Sequence, residues 1–168
     1  MKRWYAVFSK PRLERVAEEQ LRRQAFETYL PLIQLPKRRR GKWEEVIEPL
    51  FPRYLFLHID AEVVSVAPIR STRGVVGLVR FGEMPMSVPD EIIEFLRQSQ
   101  DPQSGLHHPH QAQFRKDDKV MITHGPFAGL EGIFVAERGA DRVLILLDLL
   151  GKANRITLSR DVIAPAGE

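Results

Sequence analysis

The chain has 168 residues, 43% of them hydrophobic and 28% charged, with no cysteine and a formal net charge of +3. That length holds one ordinary domain or two small ones. The lack of cysteine excludes disulfides, thiolate metal sites and cysteine nucleophiles, and fits a reducing, cytoplasmic setting. No apolar run approaches a membrane span, and Lys10 and Arg12 interrupt the apolar start too early for a secretory signal. Residues 1–98 carry 17 Lys and Arg against 13 Asp and Glu, whereas residues 99–168 carry 8 against 9, so a polyanion contact belongs to the first part.

Residues 4–8 read as a strand, and Ser9-Lys10-Pro11 as a helix start with proline in the first turn. Leu13, Val16, Ala17, Leu21 and Ala25 then recur at helical spacing as one apolar stripe. Residues 26–35 return to strand character, and Pro36-Lys37-Arg38-Arg39-Arg40-Gly41-Lys42 reads as a basic hairpin tip. Residues 43–59 are mostly strand, interrupted at Pro49 and Pro52, which cannot donate to a sheet ladder. Alternation puts Tyr54 and Phe56 on one face and Leu55 and Leu57 on the other. That strand is either buried on both faces or carries an aromatic patch for a protein partner. Ser71-Thr72-Arg73-Gly74 reads as a turn and residues 75–81 as another strand. Val88-Pro89-Asp90-Glu91 then opens a helix whose Ile92, Ile93 and Leu96 face inward.

These elements predict an α+β domain over residues 1–98. Residues 99–114 read as a linker with almost nothing to bury, spanning roughly 20–25 Å if flexible. Residues 115–168 read as short strands at 119–123, 132–136, 142–150 and 155–158. The turn Gly125-Pro126-Phe127-Ala128-Gly129-Leu130-Glu131-Gly132 separates the first two.

No catalytic set emerges: the chain lacks a phosphate-binding glycine loop and a metalloprotease helix motif, so it reads as a non-enzyme without cofactor or metal. His107, His108 and His110 cluster in the linker, which does not preorganise ligands. The basic residues at 37–42 read as a solvated turn or a phosphate contact. Lys10, Arg12 and Arg15 form a second group, and Arg70 and Arg73 flank the hydroxyls of Ser71 and Thr72, a mixture that can hold phosphates and read base edges.

Trp4-Tyr5, Lys10, residues 48–56, Ser71-Thr72-Arg73-Gly74-Val75, Phe81-Gly82 and the glycine-rich turn at 125–132 resemble NusG-type transcription elongation factors. Within that family they are most similar to the specialised RfaH type. The resemblance implies an N-terminal α/β sandwich, with an antiparallel sheet and flanking helices, seated on bacterial RNA polymerase. It further implies a flexible linker and a small C-terminal KOW module. It assigns Phe51, Pro52, Tyr54 and Phe56 to polymerase contact, and Lys10, Gln24, Thr72 and Arg73 to the single-stranded non-template DNA. Arg12, Arg15 and Arg70 join that DNA group at positions shifted or changed from the family pattern. Ser65-Val66-Ala67-Pro68 replaces the His-Thr-Thr segment of a second polymerase contact. A small-subunit ribosomal protein is the implied partner of the C-terminal module, and the factor is expected to be a monomer. Relatives can also hold that module as a helical hairpin over the polymerase face, closed by a salt bridge whose counterparts are Glu48 and Arg142. Pro126 and the glycines oppose helix in its first half, while the leucine excess at 144–150 suits a helix buried against something else, and in the hairpin Leu144, Leu146 and Leu150 are expected against Phe51 and Phe56. The β-barrel is therefore the favoured expectation and the hairpin the alternative. A general NusG-like factor, or a KOW-type protein of the ribosome or RNA, is the competing functional reading.

Overall fold

Residues 1–109, 130–151 and 156–157 are described by the structure, a computed structural model. The chain opens with β1 (Arg3–Ser9) and α1 (Glu14–Arg23), then β2 (Glu27–Tyr29), β3 (Leu32–Arg39), β4 (Lys42–Pro49) and β5 (Tyr54–Ile59). A short α2 (Val66–Arg70) precedes β6 (Val75–Leu78), β7 (Arg80–Phe81), β8 (Met84–Pro85) and β9 (Ser87–Val88). After α3 (Asp90–Gln98) come α4 (Leu130–Val135), α5 (Gly139–Gly151) and β10 (Ile156–Thr157).

β1 organises the main sheet. It pairs antiparallel with β5 on one edge, and β6 and β9 share its other edge; β2 extends the sheet beyond β5. Side chains of period two then divide between two cores. Trp4, Ala6, Phe8, Tyr54 and Phe56 face one core together with Ile92, Ile93 and Leu96 of α3. Tyr5, Val7, Leu55, Leu57 and Ile59 face the other, closed by Ala17 and Leu21 of α1 and Ile69 of α2. The expected α+β layering of the N-terminal part is thus present, with β5 buried on both faces.

Local differences have local causes. Residues 9–12 do not start the helix: Arg12 takes φ 63°, Leu13 N–H donates to the Lys10 carbonyl, and α1 begins only at Glu14. Ala25 lies past the helix at φ 66°, the left-handed geometry that commonly follows a helix end. Residues 26–35 split into β2 and β3 around Leu30 and Pro31. The basic tip is shorter than expected, because the ladder runs on to Arg39↔Lys42 and leaves only Arg40 and Gly41 as the turn.

The largest correction concerns the C-terminal part. Of residues 132–136 and 142–150, expected as strands, 132–135 and 142–150 are helical in α4 and α5, and Ala136 lies just past α4. The two helices pack on each other, and Leu130, Ile133, Leu146 and Leu150 enter the same core as Phe51 and Phe56. Arg142, Leu146 and Leu150 recur every four residues and fall on one helical face, which a reading by alternation hides. Leu144, expected against the aromatic face in the hairpin alternative, points away and is 65% exposed. The strand expected at 119–123 and the turn residues 125–129 lie outside the described residues. Of the strand expected at 155–158, Ile156 and Thr157 pair with β7.

Candidate functional site

The residues expected to meet polymerase are gathered in one place, but they are covered. Phe51 and Phe56 have no exposure and meet edge to face, and Tyr54 is 3% exposed with its ring edge against Phe8. Burial pushes the Tyr54 hydroxyl up to about 12, with the Arg53 charge acting in the opposite direction. Pro52 is half-buried, and a Cβ added at Gly139 would lie 2.6 Å from its Cγ. Such a contact needs a residue without a side chain at the start of α5.

Arg142 holds this cover in place. Its side chain is 1% exposed, and its Nε donates to the Leu50 carbonyl at 2.7 Å. One terminal nitrogen donates to the carbonyls of Ala136 and Glu137 at 3.3 Å each, and the other reaches Glu48 Oε1 at 2.7 Å. The guanidinium therefore ties the α4–α5 connection, the turn after β4 and a carboxylate together. Glu48 also accepts from Lys37 Nζ at 2.6 Å. Burial works against its charge, but the hydrogen bonds and charges of Lys37 and Arg142 outweigh that and hold its pKa below the usual range. Lys37 was not expected here; it and Glu48 share one face of the β3–β4 ladder, so the hairpin register carries the signal.

His107, from the expected linker, supports the same cover. Its backbone exchanges hydrogen bonds with β3, N–H to the Leu32 carbonyl and carbonyl to Gln34 N–H, both at 2.8 Å. Its ring is fully buried, stacks on Phe134 of α4 at 5.3 Å, and lies 3.5 Å from the Tyr29 hydroxyl. Tyr29 in turn bonds Gln100 and lies under the Arg97 guanidinium. Burial and the nearby His108 lower the His107 pKa from 6.5 to about 4. The unfolded chain would take up this proton below about pH 6.5 and the folded chain only near 4. Stability is thus fully present above 6.5 and is lost as pH falls toward 4, by up to about 3 kcal/mol. Urea unfolding between pH 7.5 and 4.5 should show this slope, and His107→Gln should flatten it.

The expected DNA group lies on the opposite side of the sheet, spread from the turn before α1 to Gln24 just past its end and across to the turn between α2 and β6. Lys10 N–H donates to the Gly74 carbonyl at 2.8 Å, joining the two turns that flank the site. Gly74 sits at φ 85°, and a Cβ there would be 3.0 Å from Ala17 N, so glycine lets the Ser71–Gly74 turn lie against α1. Gln24 donates to Thr72 Oγ1 at 2.7 Å, and Thr72 donates to the Pro68 carbonyl at 2.7 Å. Lys10, Arg12, Arg15, Gln24, Arg70 and Arg73 are exposed; Thr72 is buried, with its hydroxyl committed inside the protein. Ser65-Val66-Ala67-Pro68 forms the start of α2, where Ser65 Oγ accepts from Ala67 N–H at 3.4 Å. Among the described residues no group of three His, Asp or Glu side chains could hold a metal; His110 lies outside them. No helix among them is long and apolar enough to cross a membrane.

Residues 2–97 match the family model described as transcription termination factor nusG. The chain is 29% identical to the transcription termination/antitermination protein NusG of Thermus thermophilus, over 92% of this chain and 94% of that protein. Among solved structures it is similar to Thermotoga maritima NusG, from a study of domain interaction, at 21% identity and a TM-score of 0.39 over 76% of each chain.

Proposed function

The chain belongs to the NusG family of transcription termination factors, and from that premise we propose that it is an RfaH-like elongation and antitermination factor. In this reading Phe51, Pro52, Tyr54 and Phe56 bind RNA polymerase once α4 and α5 have moved away. Lys10, Arg12, Arg15, Gln24, Arg70 and Arg73 face the single-stranded non-template DNA, and the buried Thr72 acts from beneath by holding the Gln24 amide. The released C-terminal part recruits a small-subunit ribosomal protein, which links translation to transcription. The observation that carries this reading is the cover itself. A large apolar face left open is an aggregation liability while its partner is absent, and here the Arg142-tied helices cover this one. The similarity along nearly the whole of the Thermus protein favours a second reading, a general NusG-like factor whose polymerase face is available without a signal.

Gly139→Ala separates the two. Its Cβ would overlap the stiff Pro52 ring, costing the packed state about 1–3 kcal/mol. Helix propensity acts the other way by at most about 1 kcal/mol. The variant should bind purified RNA polymerase about tenfold more tightly than wild type without any DNA signal. Equal binding by wild type and variant, at the affinity of residues 1–98 alone, would favour the general factor.

A further inference from the structure

The β3–β4 hairpin carries a second cluster that the polymerase and DNA faces leave unused. Its ladder is regular from Leu32↔Pro49 to Arg39↔Lys42, and Arg40 and Gly41 close it at φ 51° and 76°. Two consecutive positive φ values are the geometry of a type I′ turn, which prefers Asn-Gly or Gly-Gly. Arginine at its first central position accepts backbone strain that those residues avoid. Next to the turn, Trp43 is 70% exposed, directly across the ladder from Arg38. An indole that is 70% exposed buries little surface for the fold. Arg38, Arg39, Arg40 and Lys42 are exposed as well, and none makes an ion pair among the described residues. Glu44 and Glu45 lie further down the hairpin, across from Lys37 and Pro36, so the tip itself holds four cations and one aromatic plane.

We infer that this tip is a binding site for an unpaired stretch of nucleic acid, with Trp43 as a base-stacking platform between phosphate-binding side chains. Cations supply the sequence-independent attraction to phosphate, and the flat indole accepts any base that is out of a duplex. The short turn fixes both on one rigid ribbon. The tip stays exposed while α4 and α5 cover the aromatic face, so binding there does not wait for their release.

The test uses the full chain in a Lys10→Ala/Arg12→Ala/Arg15→Ala/Arg70→Ala/Arg73→Ala background, which removes all five exposed cations of the other basic face. Single strands of about 12 nucleotides, deoxy and ribo, and the matching duplex are titrated at several salt concentrations. The single strands should change Trp43 emission; Trp4 is buried, and a Trp43→Phe spectrum subtracts its contribution. Trp43→Ala should weaken single-strand binding at least about fivefold, with the salt slope unchanged, and Trp43→Phe should restore much of the loss. Arg39→Ala/Arg40→Ala should lower the log–log salt slope by about 1.4. A preference between deoxy and ribo strands would identify the strand as DNA or RNA. Binding by Trp43→Ala within twofold of wild type would overturn the site. So would equal affinity for the duplex, or an emission change with polymerase and neither strand, which would make the tip a protein surface.

Discussion

Replacing Arg142 by alanine should release α4 and α5 from the sheet while leaving residues 1–98 folded. The guanidinium is buried and makes hydrogen bonds to Leu50, Ala136, Glu137 and Glu48. An exposed ion pair contributes about 0–1 kcal/mol, and a bridge between Glu48 and Arg142 would rank there if both ends were solvated. They are not: the arginine end is enclosed, and its loss strands the Leu50 carbonyl and part of the Glu48 carboxylate. Breaking such a pair from one side costs about 3–5 kcal/mol. Hydrogen exchange should therefore show a loss of protection of at least about a hundredfold at amides 130–151, with the amides of β1 and β5 unchanged. Glu48→Gln should cost less, because the amide oxygen still accepts and three carbonyls still solvate the arginine. Unchanged protection in Arg142→Ala would mean that the apolar contacts of Leu146 and Leu150 hold the helices without it.

Why the sequence showed one half of this arrangement and not the other follows from what each residue needs. Period-two patterning in residues 4–8 and 54–59, the two prolines before Tyr54 and the turn before Val75 are local signals, and they place the sheet and its two faces. The meeting of Lys10 with Gly74, and of Gln24 with Thr72, is not local, but both follow once β1 and β6 are neighbours. The C-terminal part is different. Residues 142–150 alternate as well for a strand as they repeat for a helix, and what decides between the two is the aromatic face they cover, 90 residues earlier in the chain. His107 misled for a related reason. Its neighbours Pro, Gln, Ser and Gly read as linker, yet Tyr29 and Phe134 supply the enclosure that a histidine ring needs. Gly139 gave no sequence signal at all, since its role exists only against Pro52.

Phe56→Ala should lower the stability of the protein by about 3–5 kcal/mol, the cost of emptying a fully enclosed phenylalanine site. Its ring meets Phe51 at 87° and Tyr29 at 24°, with centroids about 6 Å away in both cases, so both of these rings lose a partner. Urea unfolding checks this directly: the midpoint should fall while the slope stays constant. The size of the effect changes how the polymerase face must be tested. A hot-spot aromatic contributes about 2–4 kcal/mol to binding, the same range as this variant takes from folding, so lost binding alone would not identify a contact. Phe56→Leu keeps most of the volume and should cost well under half as much stability. If Phe56→Leu stays folded yet binds polymerase more than about fivefold more weakly, the ring itself is read by the partner. If it binds as wild type does, Phe56 supports the face from beneath, and the contact belongs to the half-buried Pro52 and the ring of Phe51.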